Sequence, residues 1–230
     1  PGGHECDLPG RTPLASEQMA GLQRIRALLT KAESTEFQAE ADAFTAKAQE
    51  LMHRLRLDGA MAQALIGEAG GTGPTASAIR IAVDDPYVGQ KMGLLGAVAR
   101  ANDACVVEHP GLGLATVVGP SSILRHVDLI FTSLLVQVQA AMARAASETA
   151  AGGHERSRRF RGSFIAAFAV RIDQRLGRER DRVFSRAPAD ALPVLARDAA
   201  DVDALVDALF GDLQRVRSRR PTDTAGWLAG

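Results

Sequence analysis

Apolar residues near the amino end recur at intervals of three and four, the spacing of one face of an α-helix. Ser16 precedes this run and is expected to cap the helix, because a serine hydroxyl accepts hydrogen bonds from backbone groups of the first turn. Arg24 and Arg26 fall on the opposite face. The apolar face consists of Leu22, Ile25, Leu28, Leu29 and Ala32.

A second amphipathic helix is predicted from Thr35 to about Leu57. Thr35 and Gln38 have the spacing of a capping box, in which side chains and backbone groups of the first turn satisfy each other. The intervening turn is short, so the two helices are expected to form a hairpin over residues 16–60. The second apolar stripe consists of Phe37, Ala41, Phe44, Ala48, Leu51, Met52 and Leu55.

A glycine-rich stretch follows the predicted hairpin. Residues 67–74 contain four glycines and a proline, a composition that disfavours regular structure. We assign residues 61–76 to a linker between the hairpin and a second domain over residues 77–215. Residues 1–15 and 216–230 are expected to be flexible or truncated ends.

The second domain begins with short β-rich runs. A strand is predicted at 78–83, and Asp85 is expected to cap a helix that starts at Pro86 and ends at Ala101. Residues 105–108 and 114–118 are rich in β-branched side chains and flank a turn, so they predict a β-hairpin.

Two long apolar helices follow, over residues 121–147 and 156–184, with Pro188 and Pro193 beyond the second. A last short helix is predicted from Val202 to Leu213. The fold class is therefore α+β and mostly helical, with an amino-terminal helical hairpin and a small domain built on the two long helices.

Composition restricts the function classes. Lysine plus arginine and aspartate plus glutamate each total 27, so no overall charge attracts nucleic acid or an anionic membrane. No apolar run approaches the length of a membrane span, and the amino end lacks the pattern of a secretion signal. With only two cysteines, the chain is expected to be cytoplasmic. The oligomeric state is left open.

The sequence predicts no metal and no cofactor. None of the five histidines stands in a zinc-ligand spacing, and the nearest approach is His4 with Cys6 in the leader. Cys105 is expected to be a small core residue, since nothing orients His109 toward it as a base. No glycine-rich phosphate loop is present.

One enzyme hypothesis is kept as an alternative. Asp85, Tyr87 and Lys91 cluster at the start of a predicted helix, and a Tyr-x-x-x-Lys pair is typical of some hydride-transfer enzymes. A structural role for the pair is favoured, because no dinucleotide-binding loop accompanies it. The chain is therefore more consistent with a non-enzyme, and no catalytic residue is assigned.

The clearest local charge lies on the second long helix. Arg171, Arg175, Arg178 and Arg182 share one helix face, and a row of guanidinium groups suits phosphate oxygens. This row indicates contact with nucleic acid. The competing interpretation is a solvated surface, because arginine outnumbers lysine 24 to 3 throughout the chain.

Two segments carry a family resemblance. The phrase from Ile25 to Phe37, with Glu40-Ala41 and the Lys-Ala-Gln-Glu-Leu-Met run at 47–52, resembles the bacterial and phage family of domain of unknown function 2786. Downstream residues around Asp85-Pro86-Tyr87 and 159–164 resemble the partner domain that usually follows. The resemblance implies a two-part architecture and no reaction. Its most characteristic turn consists of Lys31, Glu33, Ser34 and Thr35.

Three hypotheses follow for this binding module. The first is association with nucleic acid through the arginine row, and the second is an enzyme near Asp85. The third is a protein-interaction module that uses the helical hairpin. The three differ in what they require, because phosphate binding is salt-sensitive and an enzyme needs a pocket of titratable groups. A protein module exposes an apolar patch on the hairpin.

Overall fold

The predicted helical hairpin is confirmed, with longer helices than expected. The computed structural model describes residues 13–66, 75–148, 157–214 and 222–230. Helix α1 spans Pro13–Ser34 and α2 spans Gln38–Ile66. Ser16 therefore lies inside α1 and does not cap it, and residues 13–15 are helical. Residues 61–66, assigned to the linker, are the last turns of α2, and residues 67–74 lie outside the described residues.

One position of the second apolar stripe is wrong. Phe37 is 67% exposed, because it precedes the first residue of α2 and lies in the turn. Ala41, Ala48 and Met52 are buried as the spacing predicts. The periodicity holds within the helix and fails at its boundary.

Three antiparallel strands form a sheet in the order β1-β3-β2. Strand β1 spans Ala76–Ala82, β2 spans Cys105–His109 and β3 spans Leu114–Pro120. The predicted β-hairpin is confirmed, with Val107 opposite Thr116. Its turn contains Gly111 and Gly113 at φ 78° and 58°, a left-handed conformation that favours glycine.

Helix α3 spans Val88–Ala101, between β1 and β2. Its predicted cap is wrong, because the helix begins two residues after Pro86. Tyr87 occupies the N-cap position at φ 71° and makes no side-chain capping bond. Asp85 lies outside the helix and is exposed.

The two long helices form the core as predicted. Helix α4 spans Leu124–Glu148, and α5 spans Arg158–Phe184 after a cap at Ser157. Contrary to the sequence expectation, residues Leu124–Ala145 are long and apolar enough to cross a membrane by length and composition alone. In this structure Ile130, Phe131 and Leu134 of α4 are fully buried, so α4 is a core helix here.

The carboxyl-terminal part is more ordered than predicted. A single 3-10 turn at Ala189–Ala191 leads into α6, Leu192–Phe210, which begins ten residues before the predicted position. Pro193 lies in its first turn, where a missing backbone N–H costs no hydrogen bond. Helix α7 spans Thr224–Ala229 and contacts α5, so residues 222–230 are not a flexible end.

A continuous hydrophobic cluster joins the hairpin to the rest of the chain. Ile25, Leu29 and Met52 belong to the same buried group as Phe131 of α4 and Phe164 of α5. The hairpin therefore buries its apolar faces against α4 and α5 as well as against itself.

Candidate binding site

A surface groove of ≈ 400 Å³ runs between α1 and α2, and we call it the hairpin groove. Each helix contributes four residues at relative positions 0, 3, 4 and 7, the spacing of one helix face. On each helix the outer two residues are cationic. The lining residues are Arg24, Ala27, Leu28 and Lys31 from α1, and Lys47, Glu50, Leu51 and Arg54 from α2.

The groove follows from the position of the core stripe on each helix. Ile25, Leu29 and Ala32 point into the core, so their neighbours Leu28 and Lys31 lie at its outer edge. Leu28 and Leu51 are half-buried and form an apolar floor with Ala27. The floor is thus continuous with the core and open to solvent.

Glu50 organises the cations of the groove. Its side chain is 8% exposed and accepts from Lys47 Nζ at 2.9 Å and Arg54 Nη2 at 2.6 Å. Arg182 of α5 approaches the same carboxylate at 3.2 Å. The Lys47 hydrogen bond, with the nearby positive charges, lowers the pKa of Glu50 against the opposing effect of burial. Four cations line the groove with one anion, which leaves an excess of three positive charges.

The family turn splits into capping and lining residues. Ser34 Oγ donates to the carbonyl of Lys31 at 3.2 Å, and Thr35 Oγ1 donates to Glu40 at 2.6 Å. Thr35 also accepts from the backbone N–H of Phe37. The predicted Thr35–Gln38 box is wrong, because Gln38 donates to Asp42. Within the described ranges Glu33 makes no side-chain hydrogen bond or ion pair that assigns it to a site.

Lys31 has a different position from its neighbours in this turn. Its ammonium lies 5.7 Å from the centre of the Phe44 ring, a distance typical of a cation–π contact. Lys31 lines the hairpin groove, whereas Ser34 and Thr35 do not.

The arginine row lies on α5, and two of its four members bind carboxylates of α2. Arg175 donates to Asp42 at 2.5 Å, and Arg182 contacts both Glu50 and Glu179. Arg171 and Arg178 are exposed and reach the backbone carbonyls of Ala229 and Gln174. Part of the row is thus a polar seam between α2 and α5.

A buried polar cluster in the middle of α2 was not predicted. Gln49 Nε2 lies 2.8 Å from His53 Nε2 and donates to Asn102 Oδ1 at 3.1 Å. His53 is 1% exposed, and burial, reinforced by Arg56, lowers its pKa to about 4. The only sequence signal was the Lys-Ala-Gln-Glu-Leu-Met run, which places Gln49 next to Glu50.

Arg56 continues this cluster. Its side chain is 5% exposed and binds Asp103, which also accepts two hydrogen bonds from Arg180. The Phe184 ring lies beneath both guanidinium groups, at 5.7 Å and 5.4 Å. These contacts connect the middle of α2 to α5 and to the turn after α3, so the cluster is structural.

The residues of the enzyme hypothesis do not form a hydrogen-bonded group. Lys91 Nζ donates to the backbone carbonyl of Asp84 at 2.8 Å, while Tyr87 is half-buried beside Gly162. Asp85 is exposed at the surface. This arrangement offers no oriented acid–base pair.

Cys105 and the histidines give no further site. Cys105 is half-buried, and burial raises the pKa of its thiol. His109 contacts Thr116 Oγ1 at 2.8 Å. Within the described ranges no three His, Cys, Asp or Glu side chains are grouped to hold a metal ion. His4 and Cys6 lie outside those ranges.

Comparison with known proteins identifies one segment. Residues 21–58 match the model of the family described as protein of unknown function (DUF2786). This confirms the resemblance over α1 from Gly21 and α2 to Asp58, and the match contains every residue that lines the hairpin groove. Neither a curated protein nor a solved structure matches the chain.

Proposed function

We propose that this protein is a protein-interaction module whose hairpin groove binds an acidic amphipathic helix of a partner protein. The observation that carries the proposal is the apolar floor between two cationic rims. An apolar floor gains free energy by losing contact with water, and the rims attract carboxylates and select against basic segments.

The walls of the groove favour a helical ligand. Both walls are α-helices, whose backbone groups are satisfied internally, so the groove offers no strand edge to an extended peptide. The lining residues include no aromatic side chain, which the grooves that bind polyproline segments use. The remaining common mode is an amphipathic helix with its apolar face on the floor.

Nucleic acid is a weaker fit to the same surface. A phosphate backbone has no apolar face to cover Leu28 and Leu51, and the contacts that phosphates make are polar. On α5, Arg175 and Arg182 already bind carboxylates, which leaves Arg171 and Arg178 as the members of the row that bind no carboxylate within the described ranges.

A labelled synthetic peptide tests the proposal. The probe spans about four helical turns, with leucine along one face and glutamate on both flanks. Fluorescence anisotropy is expected to show saturable binding that weakens in high salt, because salt screens exposed charges. Three further probes are compared: the same peptide with lysine for glutamate, a scrambled peptide of the same composition, and duplex DNA.

Paired variants locate the binding. Arg24→Gln with Lys31→Gln is expected to weaken acidic-peptide binding about tenfold, since each exposed ion pair contributes roughly 0.2–1 kcal/mol. Arg80→Gln with Arg125→Gln removes the same charge from exposed positions outside the groove and is expected to bind as the wild type does. Equal binding of the scrambled peptide overturns the helical mode. DNA binding that depends on Arg171 and Arg178 favours the nucleic-acid hypothesis instead.

A further inference from the structure

Helix α6 has the chemistry that the hairpin groove requires. It carries four aspartates and one arginine, Arg197. Asp198 and Asp201 face the protein, where Asp198 lies 3.9 Å from Arg56 and Asp201 accepts from Thr75. Asp203 and Asp207 lie on the exposed side, one turn apart. Neither of these two carboxylates has a hydrogen bond or ion pair within the described ranges.

Beside the two carboxylates, the exposed face of α6 carries small apolar side chains. Ala200 and Ala204 are exposed beside the two carboxylates. A helix with small side chains can approach another surface closely. The half-buried leucines of a groove floor can then contact the backbone of that helix. The outer face of α6 is therefore an acidic surface of small side chains.

The spacing of charges fits the groove. Asp203 and Asp207 are four residues apart, or about 6 Å along the helix axis. The two cations on each rim are seven residues apart, or about 10.5 Å, and have long side chains. Both carboxylates thus fall within the span of the cations when α6 lies on the floor.

We propose that the hairpin groove of one copy of this chain binds the outer face of α6 of a second copy. This inference rests on the proposed function and names the partner. Charge complementarity carries it, since the groove has an excess of three positive charges and the outer face of α6 bears two carboxylates that are unpaired within the described ranges. In its own chain α6 buries Val202 and Val206 against Val118 of β3, so it stays in place and presents only its outer face.

The interface joins two different surfaces of the same chain. Such an interface is heterologous. In a linear assembly it leaves one groove open at one end and one α6 face open at the other. Association therefore continues with concentration into open chains or closes into a ring. Because the contacts are largely ionic, low salt strengthens the association and high salt reverses it.

The experiment uses the full chain with one surface altered at a time. The groove variant is Arg24→Glu with Lys31→Glu, and the helix variant is Asp203→Asn with Asp207→Asn. All four positions are exposed, so circular dichroism is expected to match the wild type. Sedimentation velocity at low salt is expected to show a concentration-dependent assembly for the wild type, and at least about tenfold weaker association for each variant alone.

Mixing the two variants gives the decisive measurement. The groove variant keeps its α6 face and the helix variant keeps its groove, so an equimolar mixture is expected to form a one-to-one heterodimer that grows no further. Arg80→Glu with Arg125→Glu, and Asp84→Asn with Asp128→Asn, are the matched controls and are expected to associate as the wild type does.

The outcomes separate this inference from the proposed function. A wild type that stays monomeric at every concentration, or a mixture that gives no heterodimer, overturns the inference. Equal association of all variants overturns it as well. If the synthetic acidic peptide still binds the groove in those cases, the proposed function stands with another partner. If the peptide also fails to bind, both are wrong.

Discussion

Gly226 lies where α7 meets α5, and the contact leaves no room for a side chain. A Cβ atom there would overlap the carbonyl oxygen of Phe160, which is backbone and cannot rotate away. We expect Gly226→Ala to displace α7 at a cost of about 1–3 kcal/mol, the range for overpacking. Trp227, the only tryptophan, is expected to show red-shifted emission and stronger quenching by acrylamide.

Gly177 provides the matched control on α5. A Cβ there meets nothing within 4 Å, and the residue is inside the helix. Gly177→Ala is therefore expected to leave Trp227 emission unchanged and to stabilise the protein by about 0.5–1 kcal/mol through helix propensity. Unaltered Trp227 emission in Gly226→Ala would contradict the close approach.

Two buried histidines make the stability of the protein depend on pH, and their lowered pKa values fix the direction of the change. Burial lowers the pKa of both His53 and His126 to about 4, so the native state holds them neutral. The unfolded chain binds protons near pH 6.5, so stability is lost as the pH falls from about 6.5 to 4. The expected loss across that window is about 3 kcal/mol for each histidine, measured by urea unfolding at a series of pH values.

The variants His53→Leu and His126→Leu test the assignment. Each is expected to remove about half of the pH dependence in that window, whatever its effect on absolute stability. The lowered pKa of Glu50 produces a separate loss at lower pH, where its carboxylate is protonated. If neither variant changes the slope of the unfolding free energy against pH, other groups cause the pH dependence.

Single residues were the least predictable level. Ser16, Asp85 and Phe37 were placed by local rules, and each is at or near a helix boundary that the structure moves. Boundaries depend on tertiary contacts that a local pattern does not contain. The Arg56–Asp103 pair had no local signal, because its partners are 47 residues apart in the chain.

At the scale of elements, the Arg56–Asp103–Arg180 contacts hold the middle of α2 to α5 and to the turn after α3. Asp103→Asn keeps the shape and tolerates the left-handed conformation of this residue, φ 52°. It removes the charge that compensates a guanidinium 5% exposed. We expect a loss of about 3 kcal/mol or more in the free energy of unfolding, measured by urea denaturation.

Asp181→Asn is the control for this prediction. Asp181 is 78% exposed and lies 3.6 Å from the same Arg180. Its removal is expected to cost less than about 0.5 kcal/mol, as is usual for surface charges. Similar losses in the two variants would mean that Asp103 acts as a surface charge.

Helix periodicity predicted the elements well where a stripe faces the core. Ile25, Leu29 and Ala32 of α1 are buried as expected, and the two long apolar helices α4 and α5 form the core, because burial on one side fixes the period of a helix. The first half of α6 was missed, since prolines and alanines gave no clear stripe before Val202. The hairpin groove was also missed, because the pattern of one helix does not show which residues of another lie beside it.

At the scale of the whole molecule, the hydrophobic cluster contains residues from both sides of the glycine-rich stretch at 67–74 in the sequence. We expect that cutting the chain there, at an inserted protease site, leaves the two fragments associated, because Ile25 and Met52 remain packed with Phe131 and Phe164. The fragments are expected to elute together in gel filtration and to separate only in denaturant.

The hairpin fragment alone is expected to unfold, in contrast to the associated fragments. Residues 13–66 alone are expected to lose most of their helical circular dichroism signal, because a two-helix unit buries too little apolar surface to fold. A hairpin fragment that stays fully helical and elutes by itself would show an independent domain.

The same cluster sets an order of events during synthesis. The hairpin leaves the ribosome first, but the α5 residues that cover it end at Phe184, about 120 residues after α2. At about 5–20 residues per second, the nascent hairpin exposes its apolar faces for roughly 6–24 s. The chain therefore passes through a period in which a helix-binding chaperone competes with its own α4 and α5 for the same two faces.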